Sequence, residues 1–320
     1  MTPRRPLILT GLAALAGAGR PAAAQSTAVR IVVGGPAGGP TDLLARAIGE
    51  PMSATLSRPV VVENRTGASG VIGTEGVARA APDGTTLVLG QNATHAALQW
   101  LAPRLPYHVV DSFAPVSLLA SVPHVLVVPA AAPHRSLADL LAKGRQGGLT
   151  YASSSPGSAS HIISESLCRR NGITGTNVSY RGAAPAATDT VAGLVDFYVS
   201  TLPGVSGLMR EGQLRALAIG APARLADFPD LPTATEAGQG EAFVDAWFGL
   251  FAPRATPAPV VERLAAASLG ALEVPAVRAR LEGAGFAITP MDPARFAAFQ
   301  RAEVDRWKAI VELTGVRLED

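Results

Sequence analysis

The feature that most constrains this chain is a junction that it repeats. Near the start, Ile31-Val-Val-Gly-Gly-Pro-Ala-Gly-Gly-Pro-Thr-Asp-Leu-Leu-Ala-Arg46 joins a short apolar run to a loop holding four glycines and two prolines. Leu43, Leu44, Ala47 and Ile48 then recur at helical spacing. A strand that enters such a loop and leaves as a helix presents unpaired N–H groups and a partial positive charge, which suits an anion. Glycine adds close approach, because no Cβ blocks the ligand. Taken alone, the run also reads as an ordinary βα turn, so its weight comes from recurrence.

A second junction is Leu149-Thr-Tyr-Ala-Ser-Ser-Ser-Pro-Gly-Ser-Ala-Ser-His161, where the loop is rich in hydroxyls. Ser158 or Ser160 is placed to cap the following helix, and Ser153, Ser154 and Ser155 can donate to an anion. A third is Val178-Ser-Tyr-Arg-Gly-Ala-Ala-Pro-Ala186, with Pro185 in a first helical turn and Arg181 adding a full charge. A fourth, Leu89-Gly-Gln-Asn-Ala-Thr-His95, offers Gln91 and Asn92. In open α/β sheets ligands sit beyond the carboxyl ends of strands. Loops of this kind, converging, make a cradle for a small anion from amides and hydroxyls.

Strands are expected near 60–63, 86–89, 124–128, 149–152, 177–180, 194–199 and 214–219, alternating with helices. That order predicts an α/β fold with largely parallel sheets. Phe296, Phe299, Val304, Trp307, Ile310 and Val311 form the apolar stripe of a last helix. The Pro- and Ala-rich stretches 129–133 and 252–259 are the compositional candidates for a change of domain.

Residues 1–24 read as an export signal, with Arg4 and Arg5 before an apolar run and Ala22-Ala23-Ala24 at the cleavage position. The Arg-Arg pair leaves a twin-arginine route open. Removal leaves 24 basic against 25 acidic residues, so the pI of about 9.0 belongs to the precursor. No basic block with interleaved aromatics points to nucleic acid. The single cysteine, Cys168, excludes an intrachain disulfide and reads as a packed core thiol.

Motifs for chemistry are missing. Pro156-Gly-Ser-Ala-Ser160 lacks the second glycine of a nucleophile elbow. There is no phosphate-binding GxxxxGK[ST] loop and no HExxH. The histidines, His95, His108, His124, His134 and His161, have no metal-ligand spacing. His161 follows the serine loop, so a secreted Ser/His hydrolase stands as the alternative. No cofactor or metal is expected.

Many short marks, taken in order, resemble the Bug-type (TctC-like) extracytoplasmic solute-binding proteins of tripartite tricarboxylate transport systems. They include Gly38-Gly-Pro-Thr-Asp42, Pro59-Val-Val-Val-Glu-Asn-Arg65, Gly67-Ala68 with Gly70 and Ile72-Gly73, and Pro82-Asp-Gly-Thr-Thr-Leu87. Leu105-Pro-Tyr107, Phe113-Ala-Pro-Val116, Tyr180-Arg-Gly182, Gly193-Leu-Val-Asp196 and Leu231-Pro-Thr233 continue the series. The resemblance spans nearly all of the chain after the leader. It implies a two-lobed periplasmic-binding-protein fold of type II-like, Venus flytrap form, with two interdomain crossings. Lobe 1 would be 25–122 plus 250–320 and lobe 2 would be 123–249. It implies a non-enzymatic periplasmic receptor for a small carboxylate, a monomer serving integral-membrane transporter subunits or a sensor protein. The ligand loops fall on Pro36, Ala37, Gly38, Gly39, Thr41 and Asp42, on Ser153, Ser154, Ser155, Gly157, Ser158 and His161, and on Arg181 and Gly182. Ser200 is expected to face the cleft.

Two departures bear on the ligand. The family loop usually carries an aromatic where this chain has Gly34 and Gly35, which predicts a wider pocket. Family members often carry Phe-Asp where this chain has Val199-Ser200, which predicts carboxylates without an ammonium group.

Overall fold

Valine, isoleucine and leucine fill the strand-like runs, and such side chains pack well on a pleated, buried surface. In the computed structural model, which describes residues 28–102 and 104–318, they form two sheets. The export signal lies outside the described residues.

The chain lays down β1 (Val29–Val33), β2 (Val60–Asn64), β3 (Thr86–Gln91) and β4 (Phe113–Val122) in the first sheet. It crosses at Pro123 and builds a second sheet from β5 (His124–Pro129), β6 (Leu149–Ser153), β7 (Gly175–Ser179), β8 (Phe197–Thr201) and β9 (Leu214–Ile219). It then returns to the first as β10 (Ala246–Pro253) and β11 (Ala287–Met291). Strand order is β11-β4-β10-β3-β1-β2 in one sheet and β7-β6-β8-β5-β9 in the other.

Both sheets are mixed, not largely parallel. β1 pairs in parallel with β2 and β3, and β6 with β7 and β8. β4 leads out of the first sheet and β10 comes back beside it, so those two run antiparallel. β5 is antiparallel to both its neighbours. Residues 246–249, expected in the second lobe, pair with β3 and β4 in the first sheet. The stretches 129–133 and 252–259 do not change sheet, since each follows the end of a strand and leads to a helix over the same sheet.

Helices α1 (Pro40–Leu56), α2 (Val71–Ala78) and α3 (Leu98–Leu101) precede the first crossing, and α4 (Leu137–Gly147), α5 (Ala159–Arg170), α6 (Ala183–Val191) and α7 (Leu202–Arg210) flank the second sheet. α8 (Ala258–Leu272), α9 (Pro275–Gly283) and α10 (Pro293–Thr314) complete the first unit. One core packs α1 and α8 on Ile31, Val33, Leu87 and Leu89. A second packs α10 and the segment 96–101 on Val32 and Val88, and continues through Trp247 and α5 to Tyr151 and Phe197. The two units are therefore joined by apolar packing as well as by the crossings. Phe296, Trp307, Ile310 and Val311 of the expected stripe are buried. Cys168 is buried, and burial pushes its thiol up to about 12, which makes it a core side chain.

Gly249 shows how tightly β10 is held. A Cβ there would lie 2.2 Å from Phe296 Cζ and 2.9 Å from the Ser117 carbonyl. Gly249→Ala is expected to cost about 1–3 kcal/mol by overpacking, read as a lower urea midpoint with an unchanged slope.

Candidate functional site

Loops at the carboxyl ends of β1, β2 and β3 make up the first cluster of the candidate site. Pro40 begins α1 and has no N–H to lose, so Thr41 and Asp42 carry the unpaired amides of that helix. The loop before it is self-supporting. Gly39 N donates to the Pro36 carbonyl at 3.2 Å and Gly38 N donates to Asp42 Oδ2 at 2.9 Å. Pro36, Ala37 and Gly38 are exposed.

Asp42 is buried and organises this cluster. It accepts from Arg46 Nε at 2.9 Å, from Asn64 Nδ2 at 3.0 Å and from Gly38 N. Burial pushes its carboxyl up, but these hydrogen bonds and the Arg46 charge together hold it below the usual carboxylate range. Asn64 Nδ2 also donates to the Gly35 carbonyl at 3.2 Å, which ties the β2 end to the glycine loop.

Behind the loop is a cavity of about 10 Å³, room for one water, lined by Gly34, Gly35, Thr41, Gly70, Thr94 and Gln91 among others. Gly70 and Thr94 are not among the expected site residues. Gly70 was visible only as part of the motif around Gly67, and Thr94 lies two residues past Asn92 in the same junction. Gly34 abuts Gly70, for a Cβ would lie 2.9 Å from Gly70 Cα, so an aromatic at that position does not fit. At Gly35 a Cβ meets nothing nearer than Thr41 Oγ1 at 4.0 Å. Beside Gly35 the structure leaves room for a side chain.

Asn92 has a different task. Its Oδ1 accepts from Ala93 N at 3.0 Å and its Nδ2 donates to the Asp245 carbonyl at 3.1 Å, pinning the end of β3 to the second crossing.

The second cluster lies at the ends of β6 and β7. Tyr180 N donates to the Ser153 carbonyl and Gly182 N to the Ser154 carbonyl, both at 2.9 Å, so the two expected loops run side by side. Ser158 caps α5 with a 3.4 Å bond from His161 N, while Ser160 Oγ accepts from Ser154 N at 3.0 Å. Ser153 is buried, and its hydroxyl donates to Ser179 Oγ at 3.4 Å. Ser154 and Ser155 are half-buried, Gly182 is the residue before α6 and Arg181 is exposed. No ion pair involving Arg181 occurs among the described residues.

His161 Nδ1 accepts from Gly157 N at 3.1 Å, and burial lowers its proton affinity. No serine hydroxyl is hydrogen-bonded to its ring among the described residues. Gly157 has φ of 68° and packs on Leu318 of the C-terminal tail. Ser200 is buried on β8 with its Oγ unpartnered, and a Cβ on Gly204 would stand 2.8 Å from it.

The candidate residues thus fall in two clusters of helix N-termini, amides and hydroxyls, one on each unit. The buried carboxylate, Asp42, is neutralised by Arg46. The sequence profile of the tripartite tricarboxylate transporter family receptors, TctC, matches residues 44–316. The chain belongs to the TctC family.

BugT of Bordetella pertussis is 35% identical to this TctC chain over 294 residues, 91% of it and 90% of BugT. MatC from Rhodopseudomonas palustris, solved with bound malate, is 37% identical with a TM-score of 0.81, covering 89% of this chain and 98% of MatC. Rpa4515 from R. palustris, solved with adipate, is 32% identical with a TM-score of 0.84, covering 91% and 98%. Members of the family are periplasmic binding proteins, and this TctC chain is a solute-binding receptor, not an enzyme. The hydrolase alternative has no support in either the family or the serine-loop geometry.

Proposed function

We propose that this TctC receptor closes two lobes, 28–122 with 246–318 and 124–245, over a small dicarboxylate in the periplasm. Arg181 carries the reading. It is the full positive charge on the 180–182 loop, which runs beside the 153–158 loop, and it makes no ion pair among the described residues. One carboxylate would meet the α1 N-terminus near Thr41 and Gln91. The other would meet Ser154, Ser155, Gly182 and Arg181. Malate in MatC and adipate in Rpa4515 support the class. The closed form, a monomer, would be what the integral-membrane transporter subunits or a sensor protein recognises. Leader cleavage after Ala24 belongs to this reading.

The open space at Gly35 favours adipate over malate, and Ser200 in place of an aspartate disfavours an ammonium group. A thermal-shift series with malate, adipate, aspartate and glutamate on residues 25–320 tests this. A ligand at about 100 times its dissociation constant adds roughly 2.7 kcal/mol of stability. Adipate is expected to give the largest shift. No shift with any dicarboxylate, or tighter binding of aspartate than of malate, overturns the reading.

A further inference from the structure

A second and much larger cavity, about 550 Å³, lies between the two units away from the ligand loops. None of the loops 34–41, 67–70, 91–94, 153–158 or 180–182 contributes to it. Strand order explains where it is. In the first sheet the crossing strands β4 and β10 have β11 on one flank and β3, β1 and β2 on the other. In the second sheet β5 has β9 on one flank and β8, β6 and β7 on the other. The ligand loops follow β1, β2, β3, β6 and β7. The walls of the cavity come from the turn into β11, from the segment after β9 and from α7. Cleft and cavity therefore sit on opposite flanks of the crossings, with Ser121, Pro123 and Asp245 as the cavity floor.

The walls are largely apolar, with Leu202, Leu225, Phe228 and Phe286 among them. The charged side chains on the rim are largely compensated. Arg210 pairs with Asp227 at 3.6 Å, Arg224 with Glu236 at 3.0 Å, and Glu282 with Arg278 at 3.6 Å. Asp245 is the exception. Its carboxylate accepts no hydrogen bond and makes no ion pair among the described residues, and it is half-buried at the second crossing. Burial pushes it up to about 6, with Glu303 adding to the rise and Arg306 opposing it. A largely apolar chamber lined by one carboxylate without an ion-pair or hydrogen-bond partner among the described residues is the complement of an ammonium on an apolar body. Its volume falls within the range of small-molecule pockets, about 300–1,000 Å³.

We propose that this hinge cavity is a second ligand site, for a small organic cation whose ammonium meets the Asp245 carboxylate and whose apolar body fills the chamber, and that its occupancy favours closed lobes. The direction of the coupling follows from leverage. With the crossings as fulcrum, closing the cleft widens the opposite flank, so an occupant there holds the lobes toward closure. Only differential affinity for the two states does this, and the effect on the two ligands is reciprocal. Asn92 links the sides directly, since it holds the Asp245 carbonyl from the end of β3.

The test titrates 2-phenylethylammonium into residues 25–320 by calorimetry, with no carboxylate ligand present. Saturable binding is expected, weakened at least tenfold by Asp245→Asn and at least tenfold for uncharged 2-phenylethanol. Ala223→Trp, on an exposed wall segment, is expected to abolish it and guards against a misfolded Asp245 variant. Spin labels, one on each lobe, report closure: the cation is expected to narrow the cleft. No saturable binding overturns the site. Equal binding of the alcohol or by Asp245→Asn overturns the cation assignment. A widened or unchanged cleft with the cation bound overturns the coupling. None of these readouts needs a carboxylate, so failure here is separate from failure of the dicarboxylate reading.

Discussion

Asp42→Ala is expected to remove most dicarboxylate binding, lowering affinity by more than tenfold, and to cost about 2–3 kcal/mol of stability by leaving polar partners unsatisfied. The carboxylate is not itself expected to touch the ligand. It gathers Gly38 N, Arg46 and Asn64, and Asn64 in turn holds the Gly35 carbonyl. Removing it frees the loop over 35–39 and moves the amides of the α1 N-terminus. A purely electrostatic view gives the opposite sign, because deleting a negative charge near an anion should tighten binding. Arg46, at 2.9 Å, already cancels that charge, so the loss of loop order decides the outcome. Asp42→Asn keeps the shape and one acceptor oxygen, and is expected to fall between wild type and alanine. Calorimetry with adipate reads the affinity and urea unfolding reads the stability. An alanine variant that binds adipate as well as wild type does would show that the loop needs no such organiser.

Much of the fold was legible in the sequence because its strands sit beside turn residues that punctuate them. β1, β2, β3, β5, β6 and β9 fall where the apolar runs predicted them, and β7 overlaps its expected run. The others show what local pattern cannot carry. Ala246–Pro253 is buried along its whole length, so it has neither a strand's alternation nor a helix's stripe. Phe113–Val122 contains Pro115, which is tolerated because it faces Phe251 at an irregularity in the ladder. The expected strand 194–199 begins only at Phe197, since Leu194 is exposed in the turn before it. At the site, the loops 36–42, 153–158 and 180–182 were marked from composition, and hydrogen bonds bring the last two together. Contacts made across long separations were not legible. Gly70 against Gly34 and Asn92 against Asp245 depend on where strands lie in space, and no local spacing encodes that.

Acidification is expected to destabilise the receptor between pH 6.5 and 4. His95 is fully buried, stacked on Phe251 at 4.0 Å with its Nε2 unpartnered, and burial depresses it to about 3. His124 is buried at the first crossing, and its Nδ1 bonds the Val244 carbonyl at 2.6 Å beside the second crossing. Burial depresses it to about 4, although that bond pulls the other way. A histidine whose folded value lies below its unfolded value near 6.5 takes up its proton on unfolding. The stability it confers is fully present above pH 6.5 and is lost as pH falls toward the folded value. For His124 the limit is about 3 kcal/mol, from about 1.4 kcal/mol for each unit of difference. Asp245 works in the opposite sense, since its raised carboxyl favours the folded state at low pH and disfavours it as pH rises through about 6. Two histidines against one carboxylate leave a net loss on acidification. His124→Gln can still donate to Val244 and no longer titrates, so its urea midpoint should fall less between pH 7 and pH 4.5 than that of wild type. If the variant and wild type lose stability in parallel over that range, the hinge histidine is not the source of the acid sensitivity.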